Sequence, residues 1–563
     1  MSALNRKVEL RAALGCVLAL AFLPSAAAPA GKGLAARNLS FQSRSLAPSA
    51  NFVRGLGSAF ASPMTFTYPG NDSSKATGQI VKPAAAVSRN PGRAFLEIGT
   101  LMTYSMVRYW LNYAKFIEDW QYHFNWKDQT KRFFTLQAWK FDSNAFSLNW
   151  THSFAGVLYY NLARTNHLSW SQSFLFSLGG SLWWEYCAEW REVISINDNL
   201  MTGFGGYAAG EPWFQVVDYF IGHKGILNGL LSFLNPALKL NHWLDGRRGR
   251  TPAPIPEPGW HDFRLYIGQK RMPTTSGTGL ENNLLFGFQT RIVQVPEYGK
   301  VERSGRTIRD TLASDLSLEF AFRHGRIEEF DFDTRVTGLG YFKQDIGPDS
   351  RGYAYIVGMG SAFTLYKKKS VSIYDSGAIT PRPGYDLHLD EPRNFRDKMA
   401  AVHIIGPVFD YTKFSPASRL RLVLAAYLDF GLINSYALNK YSIDHDISGV
   451  KTTLMYYGYY YGIGTSITSG LTYNYRNLEL EGLFMFQAYR SVQGHDRFQS
   501  AVTDDFILKD SRFSCRIGTA FRIPGTPVEI LARYEGIDRL GIIKATRHRD
   551  LENRYAVYAS YRF

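Results

Sequence analysis

Along residues 554–563 the chain reads RYAVYASYRF, and alternate positions suit two different solvents. Counting back from the end, Phe563, Tyr561, Ala559, Val557 and Tyr555 are compatible with hydrocarbon. Arg562, Ser560, Tyr558, Ala556 and Arg554 form a much more polar set. A period of two puts successive side chains on opposite faces of a strand, so one face of this strand is apolar and the other wet. The pattern recurs upstream. Leu316, Leu318, Phe320 and Phe322 alternate with Asp315, Ser317, Glu319, Ala321 and Arg323. Leu420 to Phe430 alternate with Arg419 to Asp429, and Leu471, Tyr473 and Tyr475 with Thr472 and Asn474. Soluble sandwiches also alternate, but their strands are usually shorter. Rows of charge at successive inward positions suit a wet lumen better than a dry core.

A chain that closes on an aromatic residue at the tip of such a strand resembles bacterial outer-membrane β-barrels. The resemblance implies that Phe563 is part of an assembly signal read by the outer-membrane assembly machinery. The competing reading of this segment alone is a soluble antiparallel edge strand. The N-terminus favours export: Arg6, Lys7 and Arg11 precede an apolar run from Ala12 to Leu23, then Pro24 and small residues up to Ala30. That is a secretory signal peptide, too short for a stable bilayer helix. Its removal takes Cys16 and leaves Cys187 and Cys515, too distant and too few for a disulfide framework.

Aromatic residues make up 15% of the chain, with 34 Tyr, as interfacial girdles require. Mean hydropathy is nevertheless −0.20, because barrel strands alternate. The formal charge of +15 fits attraction to outer-membrane lipid headgroups and lipopolysaccharide phosphates, or simply a basic lumen. No nucleic-acid recognition motif accompanies it.

The chain divides into a signal peptide (1–30), a flexible periplasmic segment (31–90), a helical domain (91–245), a Pro-rich linker (246–261) and a β-barrel (262–563). The linker carries Pro252, Pro254, Pro256 and Pro258, which can continue neither a helix nor a ladder. The barrel region yields about twelve antiparallel strands, so the expected class is mainly β, a transmembrane barrel with an N-terminal helical domain. Short inner turns are expected at Pro524–Pro527, Arg476–Asn477, Ser415–Ser418 and near Gly347–Asp349. Long outer connections are expected near 491–508, 433–457 and 368–397, with one longer inner stretch near 296–312. The helices are too polar for an inner-membrane span and are expected in the lumen as a plug, or beneath the barrel.

The helical domain holds the distinctive residues. Asn149-x-x-His152-x-x-x-Gly156-x-x-Tyr159-Tyr160-x-x-Ala163-Arg164 opens one helix. Ser169 to Trp190 forms another, with Gly180-Ser181-x-x-Trp184-Glu185-Tyr186, followed by Ser195-Ile196-Asn197-Asp198 and Gly205-Gly206-x-x-x-Gly210-Glu211. Over roughly 110–220 this succession resembles a bacterial envelope family known as a domain of unknown function. Ser153 and Ile194 stand where that family has proline. The resemblance implies an envelope location and brings no activity with it.

Ser169, Ser173, Ser177, Ser181, Glu185 and Glu189 recur every fourth residue, giving one small-polar helix face that lets another backbone approach. The neighbouring carboxyls of Glu185 and Glu189 would raise one another's pKa, as general acid–base work needs, with His152 as a third candidate. The structural alternative is a buried polar cluster in which Arg164 and Arg191 pair with Glu185, Glu189, Asp198 and Glu211, while Ser195 or Asn197 caps a helix. The four glycines between 203 and 210 fit close helix packing, since no phosphate-loop Lys follows. No nucleophile elbow or metal signature occurs, and no cofactor or metal is expected. Two function classes follow: a non-enzymatic channel or structural envelope protein with its own helical plug, or an envelope enzyme acting on lipid or glycan through Glu185, Glu189 and His152.

Overall fold

The computed structural model describes residues 89–562, apart from 113–121, 223–228, 230, 246–259, 274–278, 296–297, 302–305, 369–396, 446, 448–449 and 496–504. The expected signal peptide, the segment up to residue 88, most of the proline-rich linker and Phe563 lie outside the described residues.

Twelve strands form one closed antiparallel barrel: β1 (Trp260–Pro273), β2 (Leu280–Val293), β3 (Arg306–Arg323), β4 (Arg326–Ile346), β5 (Gly352–Lys368), β6 (Lys398–Ser415), β7 (Ser418–Asn434), β8 (Tyr459–Tyr475), β9 (Leu478–Ser491), β10 (Leu508–Arg522), β11 (Val528–Ile543) and β12 (Thr546–Arg562). The four expected tight turns join β4–β5, β6–β7, β8–β9 and β10–β11, all on one side, where the β2–β3 connection is the longer exception. Arg476 adopts φ 52° and Gly525 φ 75°, the left-handed conformation that such tight turns use. On the opposite side the β5–β6, β7–β8 and β9–β10 connections are long, while β3–β4 and β11–β12 close tightly. The ring closes where β12 pairs with β1, Tyr555–Arg562 against Arg264–Arg271, the shortest of its twelve ladders.

The outward face is apolar and open: Ile463, Ile467, Ile517, Ile530 and Val557 are each at least half exposed. No water-soluble surface tolerates a contiguous band of this size. With charged residues turned inward, this is a membrane barrel.

The helical part comprises α1 (Pro91–Asn112), α2 (Trp126–Phe134), α3 (Phe146–Thr165), α4 (Trp170–Trp183), α5 (Ile196–Leu200), α6 (Gly206–Gly222) and α7 (Pro236–Leu244). Ser169 caps α4 in a reciprocal capping box with Gln172. The expected helix to Trp190 stops earlier: α4 loosens into a π turn over Trp184–Ala188, and a second π turn, Met201–Gly205, joins α5 to α6. The glycines work as expected of packing residues. A Cβ on Gly156 would stand 1.9 Å from Thr202 O, and one on Gly206 would stand 2.8 Å from Gly156 Cα, so α3 and the α5–α6 segment touch backbone to backbone. Ser177 Oγ donates to Thr202 O (2.9 Å) across the same junction.

Register fixes where these helices sit. Residues directly opposite in a ladder share a face. Leu318 opposes Phe332, Phe332 opposes Leu365, Thr334 opposes Phe363, Phe363 opposes Val402, Val402 opposes Phe430, and Phe430 opposes Ile463, which is 60% exposed on the outer face. Yet Phe332, Phe363, Val402 and Phe430 are buried, in one cluster with Phe146, Val157, Met201 and Ala208 of the helical part. The Phe154 ring lies tilted 5.8 Å from Phe332, and Phe141 lies 6.0 Å from Phe430. At the short-turn end, Val216 and Phe220 cover Phe263 and Ile292 of β1 and β2. The expectation of a lumen plug, or of a domain beneath the barrel, is corrected here. The helices lie against the outer wall, because alternation marks a face as apolar without saying whether lipid or protein covers it.

Candidate functional site

Two polar systems merit attention, one inside the helical layer and one inside the barrel. In the helical layer the predicted residues separate into two groups. The first surrounds the Ser195 turn. Ser195 caps α5, its Oγ accepting from the Asp198 amide (3.2 Å), while its own amide donates to Glu185 Oε2 (2.7 Å). Asn197 accepts from the Asp142 amide (2.9 Å) and donates to Asn149 (3.0 Å) and Asp198 (2.8 Å). Asn149 in turn donates to the hydroxyls of Tyr459 and Tyr461 on β8, both at 2.6 Å, which ties the turn to the barrel wall. His152 pairs with Asp198 at 2.9 Å. Glu189 accepts from the Trp184 indole (3.0 Å).

Glu185 is buried, 1% exposed, and the His152–Asp198 pair lies in the same turn.

The second group is Arg164 and Glu211. Glu211 accepts from Arg164 Nε (2.8 Å) and Nη2 (3.0 Å), from Tyr160 (2.6 Å) and from Gln215 (2.9 Å), and Ser314 of β3 donates to Gln215 (2.6 Å). Arg164 thus reaches Glu211 and not the Glu185–Glu189 pair, and Arg191 stacks over Trp190. The cation beside Glu185 is Arg132, which the sequence did not single out. Fully buried, it donates to the main-chain carbonyls of Glu185, Tyr186 (3.1 Å), Glu189 (2.9 Å) and Glu192 (2.9 Å), satisfying the acceptors that the π turn leaves open. Nothing local in the α2 sequence marks it.

The second system fills the lumen, which the sequence identified only as charged. Lys270 of β1 reaches Glu319 of β3 (2.7 Å) and Glu329 of β4. Arg554 of β12 reaches Glu329 (2.9 Å), Arg516 of β10 reaches Asp331 of β4 (3.5 Å), and Lys368 of β5 reaches Glu552 of β12 (2.8 Å). Arg516–Asp331 joins strands six apart on the ring and Lys368–Glu552 strands five apart, while Lys270–Glu319 spans only β2. Towards the short-turn side lies a cavity of about 290 Å³, lined by Arg264, Arg291, Asp315, Arg335, His403 and Ser466 among others. There His403 Nδ1 meets Asp429 (2.7 Å) and Ser466 Oγ (2.9 Å), and its Nε2 faces Thr364 Oγ1 (3.2 Å). The Thr364 hydroxyl donates to Asp333 (2.7 Å), which extends the network to β4. On the long-loop side, Leu438, Tyr441 and Leu454 of the β7–β8 connection pack with inward Met399, Ile433 and Tyr460 across the mouth. Among the described residues, no group of three or more His, Cys, Asp or Glu is arranged to hold a metal ion.

Residues 138–237 match a family described as a domain of unknown function, DUF3943. No curated protein matches the chain. Among solved structures, the barrel is similar to the β domain of the Bordetella autotransporter BrkA (10% identity, 54% of this chain and 99% of that chain, TM-score 0.21). It is also similar to a loop-deleted OmpT of Vibrio cholerae (8%, 54% and 98%, TM-score 0.21) and to the outer-membrane channel DcaP of Acinetobacter baumannii (10%, 54% and 95%, TM-score 0.18). The chain's own register, closure and apolar exterior carry the conclusion: it is a twelve-stranded β-barrel protein of the bacterial outer membrane with a DUF3943 match in its helical layer.

Proposed function

We propose that the protein is a non-conducting structural barrel of the outer membrane, braced internally by ion pairs and sheathed on one side by its helical layer (91–245). The observation that carries this reading is the set of cross-lumen pairs, Arg554–Glu329, Arg516–Asp331 and Lys368–Glu552, which tie distant strands together where a channel would hold water. The covering of the long-loop mouth by Leu438, Tyr441 and Leu454 supports it. In this reading Glu185, Glu189, His152, Arg164, Arg191, Ser195, Asn197, Asp198 and Glu211 are a structural polar core that orients the helices on the wall. Lipopolysaccharide phosphates and the barrel-assembly machinery are the partners that a basic outer-membrane barrel implies.

Planar-bilayer recording tests this directly. The purified full-length protein inserts without stable current steps. Lys270→Ala combined with Arg554→Ala, which breaks the belt, raises the open-level current. Steady ohmic channels from the unaltered protein would overturn the reading.

A further inference from the structure

The helical layer has its polarity reversed. Its interior holds Arg132, Asn149, Arg164, Glu185, Asn197, Asp198 and Glu211, all buried. Its outer surface carries Phe95, Leu96, Val107 and Leu111 of α1, Phe133 and Phe134 of α2, Leu175 of α4, and Leu240, Trp243 and Leu244 of α7, all exposed. A water-soluble domain shows the opposite distribution.

The 22-residue helix α1 is the clearest case. Its exposed positions are Pro91, Gly92, Phe95, Leu96, Thr100, Thr103, Tyr104, Val107 and Leu111, with no charged side chain among them. Both threonines bond inward, Thr100 Oγ1 to Leu96 O (2.8 Å) and Thr103 Oγ1 to Gly99 O (2.7 Å), so neither hydroxyl needs water. The buried face of α1, with Ile98 and Met102, packs on Tyr159 of α3. At its start, the ion pair Arg93–Asp245 (2.8 Å) brings the apolar patch of α7 alongside. At its end, Trp110 stacks on Trp190, which meets Phe124. A helix of this length spans about 33 Å, close to the hydrocarbon thickness of roughly 30 Å, and aromatic residues gather at both ends of it as at membrane interfaces.

We infer that the occupant of this surface is lipid, and that the helical layer is immersed in the bilayer beside the barrel. Continuity supplies the reason. The helices sit on strand faces that further round the wall are open to hydrocarbon, so their own outer stripe continues the same apolar band. Among the described residues no helix is long and apolar enough to cross a membrane alone. That is what an exported chain needs: each helix hides its polar side against the barrel or another helix and offers lipid only a stripe.

Spin labelling decides between lipid, water and a second copy of the chain. In a background with Cys187→Ser and Cys515→Ser, single cysteines at Leu96, Leu111 and Leu240 are labelled on the full-length protein. The protein is then reconstituted in phosphatidylethanolamine–phosphatidylglycerol vesicles. Oxygen collision rates are expected to exceed those of a water-soluble nickel chelate severalfold at all three sites, as at a control label on Ile463 of the barrel wall. Brominated acyl chains are expected to quench the helical tryptophans in the cysteine-free parent, a readout that does not depend on the label being tolerated. Nickel-dominated collisions would place the face in water, and spin–spin broadening would place it against another copy. Either outcome overturns the inference.

Discussion

Replacing Glu211 by leucine strands a cation. Arg164 loses both carboxylate contacts (2.8 and 3.0 Å) and keeps Leu168 O (2.7 Å) and the face of Phe214 (4.6 Å to the ring centre). Glu211 is fully buried, so water cannot replace what is lost. Breaking a buried pair from one side costs about 3–5 kcal/mol. The hydroxyl of Tyr160 and the amide of Gln215 also lose their acceptor, which keeps the cost towards the upper end of that range. Arg164→Met costs less, because the carboxyl left behind retains two donors, Tyr160 and Gln215. The double substitution removes both charges together, so its cost falls below that of Glu211→Leu alone, with a coupling of at least about 2 kcal/mol. The assay is urea unfolding in detergent micelles followed by tryptophan fluorescence, with heat-modifiable gel migration as the control for an intact barrel. Additive single effects, within about 0.5 kcal/mol, would refute a sealed pair. So would a neutral Glu211→Leu, which requires water at the site.

Two further outcomes follow from the same layer. His152→Leu takes from Asp198 its partner at 2.9 Å and should lower the unfolding free energy by about 3 kcal/mol; an unshifted urea midpoint would exclude the pair as a contributor. Gly156→Ala places a methyl against Thr202 O and should destabilise the helical layer by at least about 2 kcal/mol; an unshifted urea midpoint would contradict the backbone contact.

The barrel was readable because alternation is local. Strand number, the four tight turns and the inward placement of Asp315, Glu319 and Arg554 all come from period two and turn chemistry. The docking face was not readable, because Phe332 and Phe363 beneath the helices and Ile463 in open lipid obey the same rule. In the helical part, spacing identified the Ser195 cap and the small-residue face of α4. It placed Arg164 and Glu211 in one polar cluster without choosing among the acids, since partners on different helices leave no spacing in sequence. Arg132 escaped because its acceptors are main-chain carbonyls, which every residue carries. The lumen pairs escaped because Arg516 and Asp331 meet only once the ring has closed.

A hoop is as strong as its joint. In this barrel the first and last strands share the shortest ladder, so the joint has fewer backbone bonds than any other seam. Charge reinforces it: Arg562 of β12 grips Asp262 of β1 with two contacts (2.6 and 2.8 Å), and Arg264 of β1 reaches Glu529 of β11 (3.7 Å) and Glu479 of β9 (2.7 Å). Other seams carry ion pairs too, Asp315–Arg335 between β3 and β4 and Asp410–Arg421 between β6 and β7, but on longer ladders. Salt therefore acts on this barrel first at its shortest seam, where the fewest amide bonds stand behind the charges.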